Sequence, residues 1–598
     1  MTGEQSSQNI GGRAAVGAAW LIGARLGTKL IDLTTLLLLA RLLKPTEFGL
    51  VAVAMTLILI VEAILELPVN QVLVRLPTLS SRMFDTAFTV GALRGLVLAV
   101  LLGTLAVPFS IVYRNPDLVL IILILGMAPI ARGLLSPRLA IYARHLDFRR
   151  DFIIELAGKV LAFTASVLVA YRLQSHWALV VGIVASPVGM LVASYVAAPY
   201  RPRLSLEGWR IFAGFLGWTT ASQLVSAINW QCDRLILGRF VSLQRLGQFS
   251  LANDLAYLPE QALIKPIMRP LMSAFSHVRD DRTRLRAAYI KAAAAVFALG
   301  LPIMTGLSLL ADPAVRLTLG GKWLDAVPVL QWLALSLIPP LFVSPLIPLA
   351  MALDRTNVFL RLSVWELVVK LPLMLLGAAA LGVTGVIGAR MATALVTALI
   401  AMLYVRRLIG LPLVRQFAGS WRIVAGGIVL AAILMALRPW LVGTDGLILL
   451  VKLAAVATLG FSGYLATLFG LWAAGGASGG IEAVVVAQIR ARLRRRTPRQ
   501  DLVYLILAIP QWTKWQADGN FIMRPSAGSL AVAGEIGSVA RQYFVGQRNL
   551  MLVEIDLGVL GKSVRWKPHD RDRRSPSVDG PIPFAAVTRA RSIDDFNT

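Results

Sequence analysis

The sequence predicts an all-α polytopic membrane protein of about fourteen transmembrane helices, arranged as two parallel six-helix lobes plus an extra pair, with a small C-terminal cytoplasmic α+β domain. Three observations predict it. The 598 residues are 57% hydrophobic and only 15% charged, with a mean hydropathy of +0.71, outside the range of soluble globular chains. The apolar residues gather in runs of about 17 to 25, the length a helix needs to cross the hydrocarbon core. The stretch A-R-L-L-K-P-T-E-F-G-L-V-A-V-A from Ala40 to Ala54 returns 198 residues later as G-R-F-V-S-L-Q-R-L-G-Q-F-S-L-A from Gly238 to Ala252.

Lipid offers no partner to an unpaired backbone group, and the runs are too long and unbroken for barrel strands, so each is read as a helix. Spans near residues 15–40, 48–68, 85–109, 117–136, 152–171 and 177–198 form the first lobe, residues 1–205. Spans near 211–237, 247–268, 288–311, 326–352, 362–381 and 383–405 form the second, residues 206–410. The extra pair, near 423–437 and 447–472, occupies 411–480, and a basic juxtamembrane linker follows at 481–500. The repeat aligns Arg41 with Arg239, Gly49 with Gly247, Glu62 with Glu260 and Pro68 with Pro266 without a gap. Because each half holds an even number of spans, the copies run parallel, as in one class of secondary transporters. A weaker echo sets Ser136-Pro137 against Ser344-Pro345.

Residues 501–598 contain no run of membrane length. Val503–Ala508 and Leu550–Leu557 read as strands, and Pro510–Gly519 as a short helix with Trp512 and Trp515 on one face. Their apolar content is too high for a disordered tail.

Lys and Arg in the loops set the orientation. Loops after even-numbered spans hold 20 of them and loops after odd-numbered spans hold nine, which makes both termini cytoplasmic. The net charge of +27 is mostly this signal, with a further block at Arg490, Arg492, Arg494, Arg495 and Arg496. That block lies beside the last span, where anionic membrane lipid is a nearer partner than nucleic acid. The N-terminus lacks the basic start and short apolar core of a removable signal peptide. Cys232 is the single cysteine, so no intramolecular disulfide forms.

Charges within spans cost about 2.5 to 3.5 kcal/mol each and therefore mark function by default. The first span holds Arg25, Lys29 and Asp32, whose spacings of four and three put them on one helical face. The second holds Glu62 and Glu66; the eighth holds Glu260, Lys265 and Arg269, with Pro266 and Pro270 between and after them. Arg25, Lys29, Lys265 and Arg269 are the candidates for a cationic cavity, because a phosphate-bearing substrate needs Lys or Arg to replace its water in a low dielectric. Glu62, Glu260 and Asp32 are the candidates for ion coupling, since a buried carboxylate can load a proton on one side and release it on the other. A structural alternative sets Glu62 and Glu260 facing each other across the repeat axis. Arg234, Arg269, Lys370 and Arg390 lie near span ends, where snorkelling to the interface is the simpler reading.

Enzyme signals are poor. The four histidines lack metal-ligand spacing, no phosphate-binding loop of the nucleotide type occurs, and no cofactor is implied. Transport energy is then expected from an ion gradient.

The motifs L-A-R-L-L-K-P-T-E-F-G-L-V-A-V-A (Leu39–Ala54), T-A-F (Thr86–Phe88), R-H-L-D-F-R (Arg144–Arg149), D-R-L-I-L-G-R-F (Asp233–Phe240) and G-K-W-L-D-A-V-P-V-L-Q (Gly321–Gln331) resemble the polysaccharide transporters of the oligosaccharide flippase kind. Their superfamily also holds multidrug exporters and the peptidoglycan lipid-precursor flippase. The resemblance spans roughly residues 10–480. It implies a flippase that moves undecaprenyl-pyrophosphate-linked oligosaccharide across the bacterial inner membrane by alternating access, for exopolysaccharide, capsule or lipopolysaccharide O-antigen synthesis. A lipid-linked oligosaccharide is the implied substrate, with a polysaccharide polymerase and export machinery as implied partners. The alternative within the superfamily is a cation-coupled multidrug exporter. The tail more faintly resembles a small bacterial domain with an ADP-ribosyltransferase-like fold, through Gln511–Gly519, Asn549–Asp556 and Asp579–Val587. It lacks both histidines usual there, so no enzymatic activity is expected of it.

Overall fold

The structure, a computed structural model, describes residues 27–65, 69–75, 80–144, 149–210 and 218–475, residues 482, 483 and 486, and eight strands between 502 and 592. The chain divides into two units, residues 1–481 and 482–598. Throughout its described residues the first unit is helical.

Among the described residues ten helices are long and apolar enough to cross a membrane. Four expected spans are not among these ten, three of them for physical reasons. The first is described only from residue 27. The fourth breaks at Gly126 into Asp117–Leu125 and Met127–Gly133. The seventh, Trp218–Phe240, carries Asp233, Arg234 and Arg239 among other polar residues. The eighth runs Leu243–Pro259, passes through a π turn at Glu260–Ile264 and resumes as Lys265–His277. Three prolines at 259, 266 and 270 remove backbone donors there, and such π turns recur where helices serve function. The tenth, counted as one span over Gly321–Ala352, is likewise built of short helices in series.

Side-chain caps start several of the long helices. Ser80 accepts from the Met83 N–H, Ser242 from Arg245, and Asp281 from both Thr283 and Arg284. The Arg284 N–H is foremost in holding the Asp281 carboxyl below its ordinary range.

The duplicated motifs meet. The second span, Pro45–Ile64, packs along Leu243–Pro259 of the eighth. At their crossing a methyl group on Gly49 would lie 1.9 Å from the Leu243 carbonyl oxygen, and one on Gly247 would lie 1.8 Å from that of Pro45. Each glycine thus faces the repeat-mate of the residue its own repeat-mate faces. This reciprocity is the signature of a two-fold contact, and close backbone approach of this kind requires residues without a Cβ. Around it, Arg41 Nε donates to the Thr318 carbonyl at 2.7 Å and the Trp323 indole N–H donates to that of Ala40 at 2.7 Å. The Tyr113 hydroxyl donates to Leu235 at 2.6 Å, and the Phe48 and Trp323 rings meet edge to face at 5.2 Å. Leu39, Val53, Leu237, Phe249 and Trp323 are buried in one shared apolar cluster. The second and eighth spans are therefore sealed together at the end that carries the first, seventh and ninth loops.

In the second unit a four-stranded antiparallel sheet runs in the order Leu530–Val532, Leu502–Ala508, Leu550–Asp556, Val587–Ser592. Both segments read as strands from sequence lie at its centre. The linker at 487–500 and the short helix expected at 510–519 lie outside the described residues.

Candidate functional site in the membrane unit

Deepest among the charged groups is a cluster that joins spans seven, eight, eleven and twelve. Asp233 accepts from Lys370 Nζ at 2.6 Å on one carboxylate oxygen and from Arg390 Nη1 at 2.7 Å on the other. The three residues are 4%, 6% and 8% exposed. Lys370 also donates to the Asn229 carbonyl at 2.6 Å, and Arg390 to Asn253 Oδ1 at 2.7 Å and to the Tyr257 hydroxyl. A carboxylate leaves water only when its charge and lone pairs are met inside, and here both oxygens are. The cations reach it because Lys370 and Arg390 come from two consecutive helices, Asn357–Leu381 and Val383–Ile409, which pack together as a hairpin. Neither snorkels to the interface, which corrects the reading from their place near span ends. Arg234, beside Asp233, pairs with Asp254.

Next to the cluster lies a cavity of about 200 Å³, lined by Glu366, Lys370, Arg390, Tyr257, Thr393 and Ser344 among others. Glu366 stands one turn before Lys370 on the same helix face, and among the described residues no ion pair engages it.

An aromatic step links this cluster to the predicted cations of the eighth span. The Trp230 and Tyr257 rings lie 4.7 Å apart, and Lys265 Nζ sits 5.1 Å above the Trp230 ring. Lys265 and Arg269 are exposed and one turn apart on Lys265–His277. Glu260 begins the π turn just before them, and among the described residues no ion pair engages it.

In the first lobe the predicted carboxylates are taken. Asp32 accepts from Lys159 Nζ at 2.5 Å and lies 3.8 Å from Lys29. Glu62 holds Arg132 through both oxygens, at 2.7 and 2.9 Å. Glu62 therefore pairs with Arg132 and not with Glu260 across the repeat axis. Arg25, Glu66 and Pro68 lie outside the described residues. Lys29 and Asp32 are brought together, as are Lys265 and Arg269. The partners Lys159 and Arg132 were missed, although a lone lysine inside the fifth apolar run was a signal of the same kind as Lys29.

A second, apolar cavity of about 450 Å³ opens between the ninth span, the tip of the eighth and the extra pair. Pro302, Leu307, Leu430, Leu434 and Phe461 line it. Its walls offer almost nothing to a polar group.

Residues 38–328 match the family described as polysaccharide biosynthesis protein. Over that stretch the chain resembles this family. It is 26% identical over 374 residues to the lipopolysaccharide biosynthesis protein WzxC of Escherichia coli, covering 62% of this chain and 76% of that protein. It is 27% identical over 324 residues to the succinoglycan biosynthesis transport protein ExoT of Rhizobium meliloti, covering 53% and 65%. Among solved structures it is similar to the lipid II flippase MurJ in an inward closed conformation, with a TM-score of 0.63 at 14% identity over 76% of this chain and 98% of that one. It is also similar to an inward-facing multidrug transporter of the MATE family, with a TM-score of 0.52 at 16% identity over 64% and 94%. At these identities the two structures establish the fold alone. The polysaccharide biosynthesis family match includes the sealed Gly49–Gly247 crossing and Asp233, whereas Lys370, Arg390 and the extra pair lie beyond it.

Proposed function

We propose that the chain is a flippase that carries an undecaprenyl-pyrophosphate-linked oligosaccharide across the bacterial inner membrane, from the cytoplasmic to the outer leaflet. The observation that carries this reading is the two-fold crossing of Gly49 and Gly247, which joins the two repeated motifs at one end. Lobes joined in this way can exchange a seal at one face for a seal at the other. The Lys/Arg bias assigns the sealed end to the outside, opposite the face where such a substrate is made.

The predicted cations and the apolar cavity fit the same substrate. A pyrophosphate needs cations that replace its water, supplied by Arg25, Lys29, Lys265 and Arg269. A polyprenyl chain needs an apolar wall, and the cavity beside the extra pair has one. For ion coupling Glu260 is the foremost of the three predicted carboxylates, because Asp32 and Glu62 already neutralise Lys159 and Arg132. The termini are cytoplasmic in this reading. The alternative, a multidrug exporter, shares the fold, but the relatives named for polysaccharide synthesis favour the glycan. A polymerase and export machinery would then act on the delivered product.

The test is delivery of a labelled lipid-linked oligosaccharide in proteoliposomes by the wild type and by two double variants, Arg25→Ala/Lys29→Ala and Lys265→Ala/Arg269→Ala. Each variant is expected to slow delivery tenfold or more. Undiminished delivery by correctly inserted variants would remove the cationic cavity from the mechanism.

A further inference from the structure

At the opposite end from the seal, the first lobe carries a third cavity, of about 520 Å³, that no step above uses. Three segments remote in sequence build it: the first turns of the third span with Ser81 and Asp85, Arg138 after the fourth, and Tyr200, Arg201 and Arg203 after the sixth. Specific bonds hold these segments in place. The buried Asp85 accepts from the Tyr200 hydroxyl at 2.6 Å, Arg138 donates to the Pro199 carbonyl at 2.9 Å, and its guanidinium lies 5.9 Å over the Tyr200 ring. The strap that follows is tied across the same helix end. Thr86 donates to the Glu207 carbonyl at 2.6 Å, the Ser205 N–H donates to Thr89 at 2.9 Å, and Arg82 pairs with Glu207 at 2.9 Å. Burial first, and then the bond to Asp85, push the Tyr200 phenol up, so it remains a donor to the cavity floor.

Among the described residues three guanidinium groups thus border one cavity, and the one carboxylate that lines it is already bonded. Among the described residues neither Arg201 nor Arg203 has a protein acceptor, and both are exposed. All three arginines line the same space. The N-terminus of the 33-residue helix Ser81–Tyr113 opens onto the same space and adds its dipole. The Lys/Arg bias puts this end at the cytoplasmic interface, at headgroup depth.

We infer that this cavity is an anion site that binds the phosphate or pyrophosphate headgroup of a membrane lipid on the cytoplasmic face of the first lobe. The forked guanidinium groups match phosphate oxygens two at a time, and the excess of cations over carboxylate suits a dianion. The site is separate from the Lys29 and Lys265 cations and does not depend on the flippase reading.

The test uses the purified full-length protein in phosphatidylcholine nanodiscs, titrated with inorganic pyrophosphate. Arg201→Gln with Arg203→Gln removes two guanidinium groups that no described protein group holds, so the fold should be undisturbed; an unchanged melting point without ligand checks this. The wild type is expected to show saturable binding that this variant weakens tenfold or more, while Lys265→Ala/Arg269→Ala leaves the Arg201/Arg203-dependent component in place. Competition by polyprenyl pyrophosphate assigns the site to a substrate-like headgroup, and competition by phosphatidylglycerol assigns it to a phospholipid. Equal binding by wild type and the Arg201/Arg203 variant, or no competition by either lipid, would overturn the inference.

Discussion

Asp233 sits where two buried cations would otherwise repel each other, and it bonds each through a separate oxygen. Removing one member of such a group leaves an uncompensated charge in a low dielectric, at a cost of about 3 to 5 kcal/mol. Asp233→Asn should therefore lower the melting temperature of the detergent-solubilised protein clearly. Asp233→Asn with Lys370→Met removes one charge of each sign and should recover part of the loss, because the two sites are coupled. An unaltered melting temperature for the single variant would show that the cluster carries no structural load. At this scale the sequence was legible in part. The cost of a charge in a span singled out Lys29, Asp32, Glu62 and Glu260, yet Lys370 and Arg390 read as end residues. Depth along a helix says nothing about which carboxylate faces it from a helix 137 or more positions away, and Asp233 lies 137 from Lys370 and 157 from Arg390.

Between elements the decisive contact is the crossing of the second and eighth spans. A Cβ on either glycine would fall under 2 Å from a backbone oxygen that cannot move aside without moving its helix. Gly49→Ala or Gly247→Ala should hold the two helices apart and favour the state open at the sealed end. Phe48, 8% exposed and packed on Trp323, offers a reporter. With Cys232→Ala as background, Phe48→Cys should resist a membrane-impermeant maleimide in the otherwise native chain and label severalfold faster with Gly247→Ala. Protection unchanged by the alanine would mean that this crossing does not govern the seal. The gapless repeat made Gly49 and Gly247 equivalent on sequence alone. That the equivalent residues touch is a separate fact, since two copies of a motif can as easily lie on opposite sides of their lobes.

For the molecule as a whole, the membrane helices and the strand-rich unit beyond Ile481 are separately compact. A chain ending at Ile481 should insert in the membrane at levels within about twofold of the full length, with its melting temperature unchanged, because the buried cluster, the seal and the apolar cavity all lie before that point. Loss of insertion would show that the second unit is needed for folding. The overall architecture was the most legible level, because the length of an apolar run answers directly to bilayer thickness. The interruptions of the helices were less so: the fourth span breaks at Gly126 and the eighth passes through a π turn at Glu260–Ile264, and the length of an apolar run does not report where a helix breaks inside it.

Residue order and composition by themselves determined that this chain lives in lipid, that it is helical there, that it is built from two copies of one plan, and which family it resembles. Each follows from a local property: hydrophobic length, charge bias or a repeated motif. Only the tertiary structure decided which charges are partnered. Asp32 found Lys159, Glu62 found Arg132, and Asp233 found two cations at once. Only it showed that the repeated glycines meet and that the arginines after the fourth and sixth spans share a cavity. The reason is geometric: an ion pair or a backbone contact depends on distances of about 3 to 4 Å between helices, and the way helices pack is set by all their side chains together rather than by any segment read alone.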